Sequence, residues 1–63
     1  MNLIVTAQHD GRVVSYQRRS PSGALEKALQ LQKAGSDRVF ITDITGRAYG
    51  PGDFAACFVR ARV

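Results

Sequence analysis

Two runs of β-favouring residues, Leu3 to Gln8 and Arg12 to Gln17, flank the dipeptide Asp10-Gly11. An Asp-Gly pair in this setting suits a two-residue type I′ turn, whose central residues both need positive φ. Such a loop also fixes the register. Opposed residue numbers sum to 21, which sets Ala7 against Val14, Val5 against Tyr16 and Leu3 against Arg18 on one mainly apolar face. The opposite face carries Gln8 with Val13, Thr6 with Ser15 and Ile4 with Gln17, a mixed and half-solvated surface. Turn chemistry and apolar alternation select this register independently.

Beyond the hairpin, Ser20-Pro21 reads as a helix N-cap followed by proline at the first helical position, with Ser22 as an alternative cap that leaves Pro21 outside. On a helical wheel, residues 24–34 gather Ala24, Leu25, Ala28, Leu29 and Leu31 on one side. Glu26, Lys27, Gln30 and Lys33 fall on the other, Gln32 is read at the rim, and Gly35 ends the helix. A turn at Gly35-Ser36-Asp37 leads into a third strand, Arg38 to Ile44, with Val39 and Ile41 on the helix side. Thr45-Gly46 then turns into a short fourth strand, Arg47-Ala48-Tyr49, stopped by Gly50-Pro51-Gly52. The last segment mixes two periods: Val59 to Val63 alternate, whereas Phe54, Cys57, Phe58 and Ala61 recur at helical spacing. Asp53 as an N-cap selects a short helix at about residues 53–61. The expected fold is one α+β domain over residues 1–63, order ββαββα: a small antiparallel sheet of three to four strands with one main helix packed on one face.

A chain of 63 residues buries only about 60% of its unfolded surface, and eight of its hydrophobic residues are alanine. A deep substrate cleft is therefore not expected. The single cysteine, Cys57, cannot form an intrachain disulfide, which favours a reducing cytoplasm. No export signal or membrane-spanning run is recognisable, so a soluble protein without a membrane partner is expected.

Catalytic and cofactor signatures are equally sparse. No GxSxG, GxGxxG, Walker A or HExxH pattern occurs, and one His and one Cys do not make a metal-ligand spacing. His9 reads as a solvated turn residue and Cys57 as a buried small hydrophobe. Asp10, Asp37, Asp43 and Asp53 all sit where turns and caps want aspartate. The reading is a non-enzyme with no cofactor and no metal.

The charge offers a better lead. Nine basic residues against five acidic ones give +4, and seven of the nine are arginine, which forks onto phosphates. Arg18 and Arg19 precede the helix N-terminus, so Arg18, Arg19, Ser20, Ser22 and Gly23 form a candidate anion or nucleic-acid corner. Arg60 and Arg62 extend it if the carboxyl terminus packs nearby. The alternative for Arg18 and Arg19 is a pair of solvated gatekeepers that blunt a strand end.

With Asp10-Gly11, the Ala/Leu helix ending at Gly35, RVFITDITGRAY from residue 38 and GPGDFAACF up to residue 58, the chain resembles short bacterial domains of unknown function built as hairpin, helix, hairpin. That resemblance implies a small cytoplasmic α+β module and carries over no functional residue. The expected function is a non-enzymatic interaction module with a protein partner, itself or another. A homodimer through a sheet edge or the exposed sheet face and a monomer with blunted edges both fit the pattern. The alternative is a weak nucleic-acid binder using an arginine patch.

Overall fold

A computed structural model of the chain describes residues 2–59. It contains β1 (Leu3–His9), β2 (Arg12–Arg18), α1 (Pro21–Lys33), β3 (Arg38–Thr42), β4 (Ala48–Tyr49) and α2 (Pro51–Phe54), which runs on into a π-helical segment, Ala55–Val59. All strand pairings are antiparallel, and the sheet order is β2-β1-β3-β4. The architecture is thus the small α+β sheet-and-helix layer expected.

The β1–β2 hairpin has the register derived above, from Leu3↔Arg18 to His9↔Arg12. Asp10 at φ 51° and Gly11 at φ 77° are both left-handed, as a type I′ turn requires. β1 then receives β3 on its other side, with Val5↔Ile41 and Ala7↔Val39 opposed. Leu3, Val5 and Ala7 thereby join Val39 and Ile41 in one apolar patch at the centre of the sheet.

Ser20, not Ser22, caps α1: its Oγ accepts from the Gly23 N–H at 3.1 Å, and Pro21 takes the first helical position. At the other end Gly35 adopts φ 97°, while its N–H donates to the Gln32 carbonyl and that of Ser36 to the Leu31 carbonyl. This double bond pattern around a left-handed residue is a Schellman closure, and glycine enters that region without the strain of a Cβ. Ala24 and Ala28, one turn apart and fully buried, let α1 lie close on the central patch. Leu25 and Leu31 pack at its flanks, Gln32 is exposed, and Leu29 is half exposed although the wheel placed it with the apolar set. Val14, also assigned to the core side, is 42% exposed because α1 sits over β1 and β3 and does not reach along β2.

The second half departs from expectation at three boundaries. β3 stops at Thr42, and Asp43 and Ile44 belong to the turn, with Ile44 72% exposed. β4 is confined to Ala48 and Tyr49. The final helix starts at Pro51 with Gly50 as its cap residue, and Asp53 lies inside the first turn instead of capping it. Proline fixes its own φ near the helical value and has no N–H to leave unpaired, so Gly50-Pro51 starts the helix better than Asp53 does. The part of the expected helix at residues 60–61 lies outside the described residues.

Phe54 is fully buried and stacks on Phe58 at 4.7 Å between ring centroids, while Tyr49 meets both rings edge-on. These three aromatics close the β4 end of the core. Among the described residues no helix is long and apolar enough to cross a membrane. The burial contrast between Ile41, fully buried, and Ile44, in the exposed turn, makes a stability test. Ile41→Val is expected to cost about 1 kcal/mol in urea unfolding; Ile44→Val should stay within about 0.5 kcal/mol. Equal costs would show that the sheet register is wrong.

Candidate interaction surface

The arginine corner forms in part. Arg18, Gly23, Glu26, Lys27 and Gln30 line a shallow cleft of about 260 Å³ between the end of β2 and the first turns of α1. Its cations are already engaged. Arg18 Nη1 donates to the Gln17 carbonyl at 2.8 Å, and Lys27 Nζ donates to Gln30 Oε1 at 3.0 Å. Both charges also lie over the Tyr16 ring, at 5.9 Å for Arg18 and 4.2 Å for Lys27. At the helix N-terminus, the Gly23 N–H is taken by Ser20 Oγ, and Pro21 has none to offer. Glu26 adds a carboxylate to the lining. Arg19 and Ser22 are exposed beside this cleft but do not line it, and Arg60 and Arg62 lie outside the described residues. Tyr16, Lys27 and Glu26 were not anticipated here. Tyr16 and Arg18 share a strand face by their spacing, whereas the approach of Lys27 depends on where α1 crosses the sheet.

The remaining arginines are distributed. Arg12 and Arg38 sit at the Asp10-Gly11 end of the sheet, and Arg47 sits in the β3–β4 turn at the far end. Arg12 shares the helix side with Val14, whereas Arg38 shares the opposite side with Phe40. The described arginines therefore do not make one continuous patch.

His9 is exposed, and its Nδ1 donates to the Gly35 carbonyl at 3.1 Å. The Asp10 N–H adds a bond to Asp37 Oδ2 at 3.3 Å, so the hairpin turn is tied to the loop that follows α1. Cys57 is exposed, correcting its expected burial. Phe54 and Phe58, four residues apart, stack on one face of this terminal turn, and Cys57 lies off that face. No cluster of three or more metal-ligating side chains occurs among the described residues.

Asp43 does more than occupy a turn. Its Oδ1 accepts from the Thr45 N–H at 2.9 Å, the Thr45 hydroxyl at 2.6 Å and the Arg47 N–H at 3.1 Å, while Oδ2 accepts from the Tyr49 hydroxyl at 3.1 Å. The Asp-x-Thr spacing is a turn signal in its own right. The Thr45 hydroxyl, ahead of the backbone amides and Tyr49, holds the Asp43 carboxyl below its ordinary value, against a smaller opposing effect of burial. Burial, and then the bond to Asp43, push the Tyr49 phenol up.

A second surface is left without cover by α1. On the sheet face opposite α1, three cross-strand rows run Gln17-Ile4-Thr42, Ser15-Thr6-Phe40 and Val13-Gln8-Arg38. Ile4 is 36% and Val13 63% exposed. The β2 edge is open along seven residues, whereas the β4 edge offers two. The Gln8 carbonyl accepts from the Asp37 N–H, on the side away from β2. Gln8 and Val13 are therefore a non-hydrogen-bonded pair, and by alternation Val13, Ser15 and Gln17 turn their N–H and C=O groups to the open edge, where Arg18 Nη1 already takes the Gln17 carbonyl. No known protein family, curated protein or solved structure matches the chain.

The Asp43 network predicts an acid limb. Its folded value lies below the unfolded 3.8, so its contribution is complete above that pH and is lost as pH falls through the folded value. Asp43→Asn should flatten this part of a melting-temperature profile, and an unchanged profile would remove the carboxylate from that role. At the alkaline end, Tyr16→Phe leaves Tyr49 as the reporting phenol. Its phenolate absorbance should rise only above the ordinary 10.0, and stability should begin to fall as the unfolded phenol ionises first.

Proposed function

We propose that this chain is a non-catalytic protein-interaction module whose contact surface is the open β2 edge together with the uncovered sheet face. The observation that carries the reading is the seven-residue edge strand, which has neither proline nor glycine and carries exposed Val13 and Val14 on its two faces. Such an edge is a template for strand addition. Natural edges are commonly blunted by charge at mid-strand, and here Arg12 and Arg18 stand only at the strand ends. The distribution of the arginines and the mutual engagement of Arg18, Lys27 and Tyr16 favour this reading over polyanion binding.

A photo-crosslinking side chain tests it when placed in turn at Val13 on the β2 edge and at Ile44 in the far turn, two positions of comparable exposure. Protein adducts, to another copy or to a different chain, are expected from position 13 and not from position 44. Equal adducts at both positions, or nucleic-acid adducts in place of protein, would overturn the proposal.

A further inference from the structure

We infer that the partner at the β2 edge is a second copy of this chain, paired β2 to β2 in antiparallel fashion about a two-fold axis at Val14. The inference rests on the interaction reading above and narrows it to one occupant and one register.

The argument begins with which registers a two-fold pair can adopt. Val13, Ser15 and Gln17 direct their backbone groups outward, so outward residues must oppose outward residues across the new interface. Symmetric pairing then places the axis on a single residue, and the choices that overlap most of β2 are Val14, Ser15 and Tyr16. An axis at Ser15 sets Arg12 of each copy directly against the partner's Arg18, two like-charge contacts on the same face. An axis at Tyr16 brings together two rings that each already carry Lys27 and Arg18, so four cations converge. An axis at Val14 sets no arginine directly opposite another and keeps the two Tyr16 rings, each with its own Lys27 and Arg18, apart. It opposes Val14 with the partner's Val14, covering a side chain that is 42% exposed. Arg12 then lies opposite the partner's Tyr16, whose ring already carries its own Lys27 and Arg18, and Asp10, whose carboxylate is exposed in the turn, comes opposite that Arg18 and offsets the added charge.

Steric access fits the same axis. On its helix side β2 is covered by α1 where Lys27 crosses Tyr16, and is open at Val14. Val13 pairs with the partner's Ser15 twice, each pair exchanging two backbone hydrogen bonds, and the product is a continuous sheet with both helices on one face.

Cysteine scanning of the full chain reads the register directly, with Cys57→Ser removing the native thiol. In a non-hydrogen-bonded antiparallel pair the Cα atoms lie about 4.5 Å apart, inside the range a disulfide spans. Under mild oxidation Val14→Cys should give a covalent dimer, while Ser15→Cys, displaced along the strand from its own copy, should remain mostly monomeric. Stronger crosslinking at Ser15 would overturn the register. Light scattering of the unmodified chain at high micromolar concentration should give the dimer mass, and Val14→Lys, which brings two lysines to the axis, should return it to the monomer mass. A monomer of the unmodified chain overturns self-pairing. Val13 photo-adducts to a different protein would then leave the interaction reading standing, and absence of any protein adduct would end both.

Discussion

A helix is about 10 Å across and strands lie about 4.8 Å apart, so the single main helix of this chain can cover about two strands of a four-stranded sheet. The exposed surface follows from that mismatch. α1 lies on β1 and β3, where Leu3, Val5, Ala7, Val39 and Ile41 face it, and those residues are nearly all sealed from solvent. β2 receives cover only where Tyr16 lies beneath Lys27. β4, which α1 does not reach, is covered by a different device, the Tyr49, Phe54 and Phe58 rings. One flank of the sheet is thus closed by aromatic packing, and the other leaves the backbone groups of Val13 and Ser15 facing outward, with the Gln17 carbonyl taken by Arg18.

The close seat of α1 depends on alanine. Ala24 and Ala28 present only methyl groups to the sheet, so the helix approaches the strands closely, but its contact stripe is narrow. Larger residues would widen the stripe and lift the helix. With Leu25 and Leu31 at the flanks, Leu29 is left half exposed. A small core of this kind gains stability from tying its segments together, and the bonds from His9 and Asp10 to Gly35 and Asp37 do so at one end of the sheet. Asp43 holds the turn at the other.

What was legible in the sequence was what short-range geometry determines. Asp10-Gly11 specified the turn and therefore every pairing in the first hairpin, and Ser20-Pro21 and Gly35 marked the ends of α1. Val39 and Ile41 could be placed on the helix side by alternation alone. Properties that depend on where one element crosses another were not available from the residues. Periodicity assigns Val14 to the correct face but cannot say how far along β2 the helix extends. The same limit applies to Lys27, which wheel geometry placed with the polar set and which lies over an aromatic ring. Cys57 differs for another reason: an apolar neighbourhood in sequence suggested burial, but Phe54 and Phe58 fill the core side of the last turn and Cys57 is exposed. Gly50-Pro51 does stop β4 after Tyr49, but it also starts the last helix, a role for proline at a first helical position that was legible at Pro21 and was assigned here to Asp53 instead.

The inequality of the two sheet edges bears on what kind of assembly such a fold can support. A sheet with two long free edges can add copies at both, and strand addition then propagates without closing. Here β4 contributes only two residues before Gly50-Pro51 turns the chain into α2, and proline has no N–H to offer an incoming strand. The same residues that start the helix carrying Phe54 into the core keep β4 paired with only Ile41 and Thr42 of β3, so that flank offers an incoming strand a short, stepped edge. The β2 edge is the one long edge among the described residues, and a two-fold pair built on it consumes it in both copies. Association of the proposed kind through β2 would therefore end at two chains. The short fourth strand, which adds little to the sheet, has its consequence here: it makes strand addition at the opposite edge a closed interaction.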